Sequence, residues 1–179
     1  MKITVIDFEA AGMESYPIEF GWATVDIDAQ EISVDSFLIR PTEDWLQNWE
    51  WTSEAELLHG LRLRDLMDKG INVETAVQRI DERFGDTPLY SDAPSFEKFW
   101  MKTLYEAAGT PRPNRTGDIL KLQDRLEEIV KDKPLLELEF AMRRRTHRRH
   151  RAGPDALEWG KLVARIACPD QSFCVTGIA

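Results

Sequence analysis

The chain has 179 residues, 42% of them apolar, enough for one domain of ordinary size with a real core, and its six Trp and eight Phe argue against a disordered chain. No uninterrupted apolar stretch approaches bilayer length, so a soluble protein is expected. The net charge of −9 argues against an indiscriminate nucleic-acid binder, but it is unevenly spread: residues 1–100 hold 8 Lys and Arg against 21 Asp and Glu, net −13, and residues 101–179 hold 15 against 11, net +4.

Three strands open the chain, about Lys2 to Phe8, Ile18 to Asp26 and Glu31 to Ile39, joined by short connections as in a meander. The first enters at once and meets Asp7 and Glu9, which leaves no room for the apolar core of a secretory leader, so a cytoplasmic location is expected. Pro41 closes the third strand and a Trp-rich connection follows (Trp45, Trp49, Trp51). Thr52-Ser-Glu-Ala-Glu56 then resembles a capping box opening a short helix that runs to Gly60. A second helix is predicted over Val73 to Phe84. Leu89-Tyr-Ser91 forms a short strand, and Pro94 opens a helix on which Phe96, Phe99, Trp100, Thr103 and Leu104 share a face, read as core rather than as a base-stacking platform. Thr110 to Gly117 is a loop by composition, followed by a strand at Ile119 to Leu122 and two or three helices to Ala167. Strands first, then β and α in alternation, predict a single domain over residues 1–179, α/β, with a mixed sheet flanked by helices. Cys168 and Cys174 are too few for a disulfide framework or a zinc site.

Asp7 and Glu9 stand at the end of the first strand at positions i and i+2, so both carboxylates project from one face. An acid pair against a buried strand is costly unless something compensates it, and a divalent cation would do so; the bland alternative is that both lie beyond the strand and face water. Asp92 follows a short strand and precedes a Pro-initiated helix, the end of an α/β sheet where binding sites form, although capping that helix would also explain it. Asp155 stands beside Pro154, which suits the first helical position, and His150 precedes it; complementing the helix dipole is the plainer role for Asp155. Between them and the preceding helices, Arg143, Arg144, Arg145, Arg148, Arg149 and Arg151 crowd around His147 and His150, which suits phosphate contacts and equally a solvated basic face.

Taken in order, three blocks resemble the DEDDh group of 3′→5′ exonucleases in the ribonuclease H-like superfamily, which includes polymerase proofreading subunits and ribonuclease T. The first is Val5-Ile-Asp7-Phe-Glu9-Ala with Tyr16-Pro-Ile-Glu-Phe-Gly-Trp22-Ala after it. The second is Leu89-Tyr-Ser-Asp92 running into Phe99, Trp100 and Leu104. The third is His150-Arg-Ala-Gly-Pro-Asp155-Ala, with four residues between His and Asp. His59-Gly60-Leu61 is also similar to the family, and no Tyr after Tyr105 could replace the histidine. The segment Gly109 to Lys133, the Arg-rich approach to the third block and Gly153-Pro154 depart from the pattern.

The resemblance implies a ribonuclease H-like mixed five-stranded sheet and two Mg²⁺ or Mn²⁺ ions, the ions that oxygen-only ligands favour, held by Asp7, Glu9, Asp92 and Asp155. It implies that His150 is the general base, a role suited to an imidazole whose ordinary pKa is ~6.5. Phe8, His59, Arg148, Arg149 and Arg151 would bind substrate, a single-stranded DNA or RNA with a free 3′ end, releasing nucleoside 5′-monophosphates. A homodimer is left open. Two other classes remain: a catalytically weak nucleic-acid-binding relative, and an acidic protein-interaction domain.

Overall fold

The computed structural model describes residues 1–110, 119–130, 133–143 and 150–177. The chain begins with three antiparallel neighbours, β1 (Lys2–Ala10), β2 (Pro17–Asp26) and β3 (Glu31–Leu38). Ile3 and Val5 on one side of β1, and Ile6 and Phe8 on the other, are all buried, so the sheet is covered on both faces. The expected meander is present. β1 runs two residues past the predicted end, and β3 stops at Leu38, after which Ile39 makes an isolated bridge to Ile71.

The Trp-rich connection contains a helix that the sequence reading leaves as irregular, α1 (Glu43–Asn48). The Thr42 hydroxyl accepts from the Trp45 amide at 3.1 Å, and buried Trp45 stacks on Tyr16 with ring centroids 5.2 Å apart. Six residues are too few to display a helical period, so a cap and one tertiary contact make this helix. α2 (Ser53–His59) is the expected one, capped by Thr52 and ended by Gly60, whose φ of 69° lies in the left-handed region. α3 (Leu63–Lys69) is a second short, unforeseen helix, and α4 (Val73–Phe84) has its predicted bounds. β4 (Leu89–Ser91), parallel to β1, leads into α5 (Pro94–Ala107). β5 (Leu120–Lys121) is shorter than predicted because Leu122 already opens α6 (Leu122–Ile129). α7 (Lys133–Arg143), α8 (Ala152–Ala167) and β6 (Cys174–Gly177) complete the described chain.

The sheet order is β5-β4-β1-β2-β3-β6. The class is α/β, a mixed sheet flanked by helices, as predicted, with six strands among the described residues where five are expected. β6 is the addition: all four of its residues are exposed, so no apolar alternation announces it, and it exists by pairing parallel to β3. Two cores follow from the pleat. Ile6, Phe8, Phe20 and Trp22 pack with α4 and α5, and Ile3, Val5, Ala23 and Val25 pack with α6, α7 and α8. Odd-numbered residues of β1 and β2 therefore face α8.

On α5 the buried face is turned relative to the predicted stripe. Thr103 and Leu104 of that stripe are buried and Trp100 packs against the core, but Glu97, Met101 and Tyr105 are buried beside them, whereas Phe96 and Phe99 are each 36% exposed. The aromatic positions 96 and 99 lie one step to the side of the i, i+4, i+7 row that meets the sheet. Both cysteines are free, and no helix among the described residues is long and apolar enough to cross a membrane.

Candidate active site

Asp7 and Glu9 lie on the α8 side of β1, as strand alternation requires, and the β1–β2 register sets them opposite Gly21 and Glu19. Gly21 is what lets α8 approach. A Cβ there would lie 2.2 Å from the Ala152 carbonyl carbon, so the first turn of α8 rests directly on the β2 backbone beside Asp7. α8 begins at Ala152 rather than at Pro154, with Arg151 at the N-cap; Pro154 still falls in the first turn, where an amide has no helical partner to lose.

This docking brings Asp155 and His150 to the β1 acids. Single atoms of Glu9, His150 and Asp155 suited to ligating a cation all lie within 4.8 Å of one another. His150 Nδ1 is 3.5 Å from Asp155 Oδ2, and the His150 amide donates to the Leu58 carbonyl at 3.0 Å, which fixes the segment against the end of α2. The His150 side chain is 45% exposed, open to an incoming ligand.

Two further carboxylates join, Asp92 from the β4–α5 turn and Glu97 from α5. The Asp7 carboxyl is held well above the usual range by burial and then by the charges of Glu97, Glu9, Asp155 and Asp92, in that order. Sequence reasoning singled out Asp92 and missed Glu97. Asp92 is half-buried and is not the cap of α5, whose N-cap is Ala93. Glu97 is 2% exposed, and its carboxyl is also raised strongly by burial and by Asp92 and Glu9. The Phe8 amide and the Ser91 hydroxyl hydrogen-bond to it and pull the other way. A signal was legible: Glu97 occupies the same helical row as Met101 and Leu104, a charged residue in a core-facing position.

The remaining residues divide. Phe8 is 4% exposed on the opposite face of β1, packed on Phe20 at 4.8 Å, so the structure does not bring it among the acids. His59 is buried, its Nδ1 accepting the Leu61 amide at 2.9 Å, and burial pushes its pKa down to about 4. It terminates α2 from the inside. Arg151 commits Nε and Nη2 to Glu19 at 2.8 and 2.7 Å. Arg144, Arg145, His147, Arg148 and Arg149, and the side chain of Arg143, lie outside the described residues.

The donor set fits divalent cations. Glu9 is pushed up to about 9, first by burial, then by Asp155 and Glu19. Glu9 Oε1 and Glu97 Oε2 are buried without a partner among the described residues. Anions so placed need a cation to stay ionised near neutral pH, and oxygen donors suit a hard one.

No family model matches the chain, and no curated protein matches it by sequence. Solved structures do match. The zinc-bound form of an E. coli exonuclease I–single-stranded DNA complex superimposes with a TM-score of 0.67 at 15% identity, covering 94% of this chain and 41% of that one. The metal-free form of that complex gives 0.65 at 16% identity over 94% and 40%. The same E. coli enzyme with a dT13 oligonucleotide gives 0.57 at 14% over 74% and 30%. The fold is ribonuclease H-like. The chain spans less than half the length of these neighbours, and at such identity the likeness is one of fold.

Proposed function

We propose that this chain is a metal-dependent 3′→5′ exonuclease of the DEDDh type, releasing nucleoside 5′-monophosphates from single-stranded nucleic acid. The observation that carries the reading is the environment of Asp7: one carboxylate feels four others, drawn from β1, the β4–α5 turn, α5 and α8. Repulsion of that kind is expensive in a binding module and useful in a cation site. The exonuclease I likeness supports single-stranded DNA as the first substrate to try.

Asp7, Glu9, Asp155 and Glu97 would hold two Mg²⁺ or Mn²⁺ ions. Glu97, buried and with an orphan oxygen, is a better fourth carboxylate than the Asp92 read from sequence, which stands at the rim. Bound divalent cations would supply charge neutralisation at the scissile phosphodiester and acidify the attacking water. Asp155 faces His150 Nδ1 and orients the ring, which leaves Nε2 to take the water's proton. The open face at His150 admits the end of the substrate strand.

The test is a 5′-labelled oligonucleotide, DNA and RNA in parallel, digested with Mg²⁺ and resolved as a ladder. Stepwise shortening with mononucleotide release is expected. Intact substrate in both Mg²⁺ and Mn²⁺, or cleavage of a circular single strand, would overturn it.

A further inference from the structure

Glu19 lies directly across from Glu9 in the β1–β2 register and is 1% exposed. Two like charges side by side on one buried face repel. Glu19 nevertheless accepts four hydrogen bonds: from Arg151 Nε at 2.8 Å and the Ala152 amide at 3.1 Å on Oε2, and from Arg151 Nη2 at 2.7 Å and Ser36 Oγ at 3.2 Å on Oε1. As a stabilising device a pair with one buried partner is weak, since apolar residues of similar size do as well. Its geometry is specific instead. Arg151 is the N-cap of α8, follows His150 directly, and its amide reaches Asp155 Oδ2 at 3.3 Å.

We propose that Glu19 is a positioning residue for the cation site: through the Arg151 fork and the Ala152 amide it fixes the first turn of α8, and with it His150 and Asp155, against the acids of β1. The same fork commits the Arg151 guanidinium to Glu19, and Glu9 Oε1 has no hydrogen-bond partner among the described residues. Arg151 thereby changes from the expected phosphate contact to part of the scaffold. The proposal rests on the reading of the acids as a metal site.

The experiment measures Mn²⁺ dissociation constants by calorimetry on the full chain, with melting temperatures, and kcat and KM on a single-stranded oligonucleotide, for wild type, Glu19→Gln, Arg151→Lys and the double variant Glu19→Met/Arg151→Met. Both single variants should bind Mn²⁺ about 10–100-fold more weakly, as loss of a partner behind metal ligands does, with kcat lowered and KM for the oligonucleotide little changed. The double variant, which leaves no buried charge unpaired and keeps the test open if Glu19→Gln does not fold, should regain melting temperature without regaining Mn²⁺ affinity. Recovery of both together would make the pair a stability element alone and overturn the proposal. So would Arg151→Lys raising KM with Mn²⁺ affinity intact, the mark of a phosphate contact. Wild type that binds no Mn²⁺ would bring down the metal reading itself; wild type that binds, with all variants equal to it, overturns only the role of Glu19.

Discussion

Asp7 sits where burial and four other carboxylates all oppose ionisation. Replacing it with Asn removes one charge from that set, so Asp7→Asn without divalent cations should melt no lower than wild type, whereas its turnover in Mg²⁺ should collapse. Activity near wild type would contradict the two-cation reading. Glu97 and Asp92 can be separated in the same way. If Glu97 is the fourth ligand, Glu97→Gln should weaken Mn²⁺ binding and lower kcat by more than Asp92→Asn does; the reverse order would return the role to the residue read from sequence. For the base, His150→Ala should lower kcat by ~10²–10⁴-fold, the usual contribution of general-base catalysis, with Mn²⁺ affinity little changed. His147→Ala should cost far less, and equal small losses in both would leave neither as the base.

The contact between α8 and β2 shows how one residue without a side chain positions a whole element. With a Cβ 2.2 Å from the Ala152 carbonyl carbon, Gly21→Ala must lift the first turn of α8 from the sheet. Overpacking of this kind costs ~1–3 kcal/mol or more, and since His150 and Asp155 ride on that turn, activity should fall further than stability does. A melting temperature and a rate on the one variant decide it; an unaltered rate would mean that the turn is not held by this contact. α5 illustrates the other lesson. Its helical period was plain in the sequence, but the chosen stripe followed the aromatics, and the sheet selected the neighbouring row that contains Glu97. Bulk alone does not determine which row faces inward, because an exposed ring such as Phe96 can stack on the partly buried Trp100, here at 5.7 Å.

At the scale of the whole molecule the acids make stability depend on pH. A raised carboxyl pKa means that the folded protein keeps protons the unfolded chain has released, so the metal-free protein loses stability as pH rises from the ordinary carboxylate range, ~4, through about 9 where Glu9 titrates. The melting temperature without divalent cations should fall across that window, and added Mn²⁺ should raise it more on the alkaline side, where protons no longer compete for the oxygens. A metal-free melting temperature that rises over the same window would reverse the sign. The local sequence determined the β1–β3 meander, α4 and β4, the pairing of Asp7 with Glu9 and the His150-to-Asp155 interval, because alternation, helical period and short spacing act within a few residues of the chain. It also contained the far-face position of Phe8, since that follows from the same alternation. Tertiary structure alone decided that α1, α3 and β6 form at all, and that Arg151 is bound to Glu19, a partner 132 residues away. Such choices depend on which surfaces meet after the chain has folded back on itself, and a charge pattern read along one dimension contains no record of the buried carboxylate that a guanidinium will find.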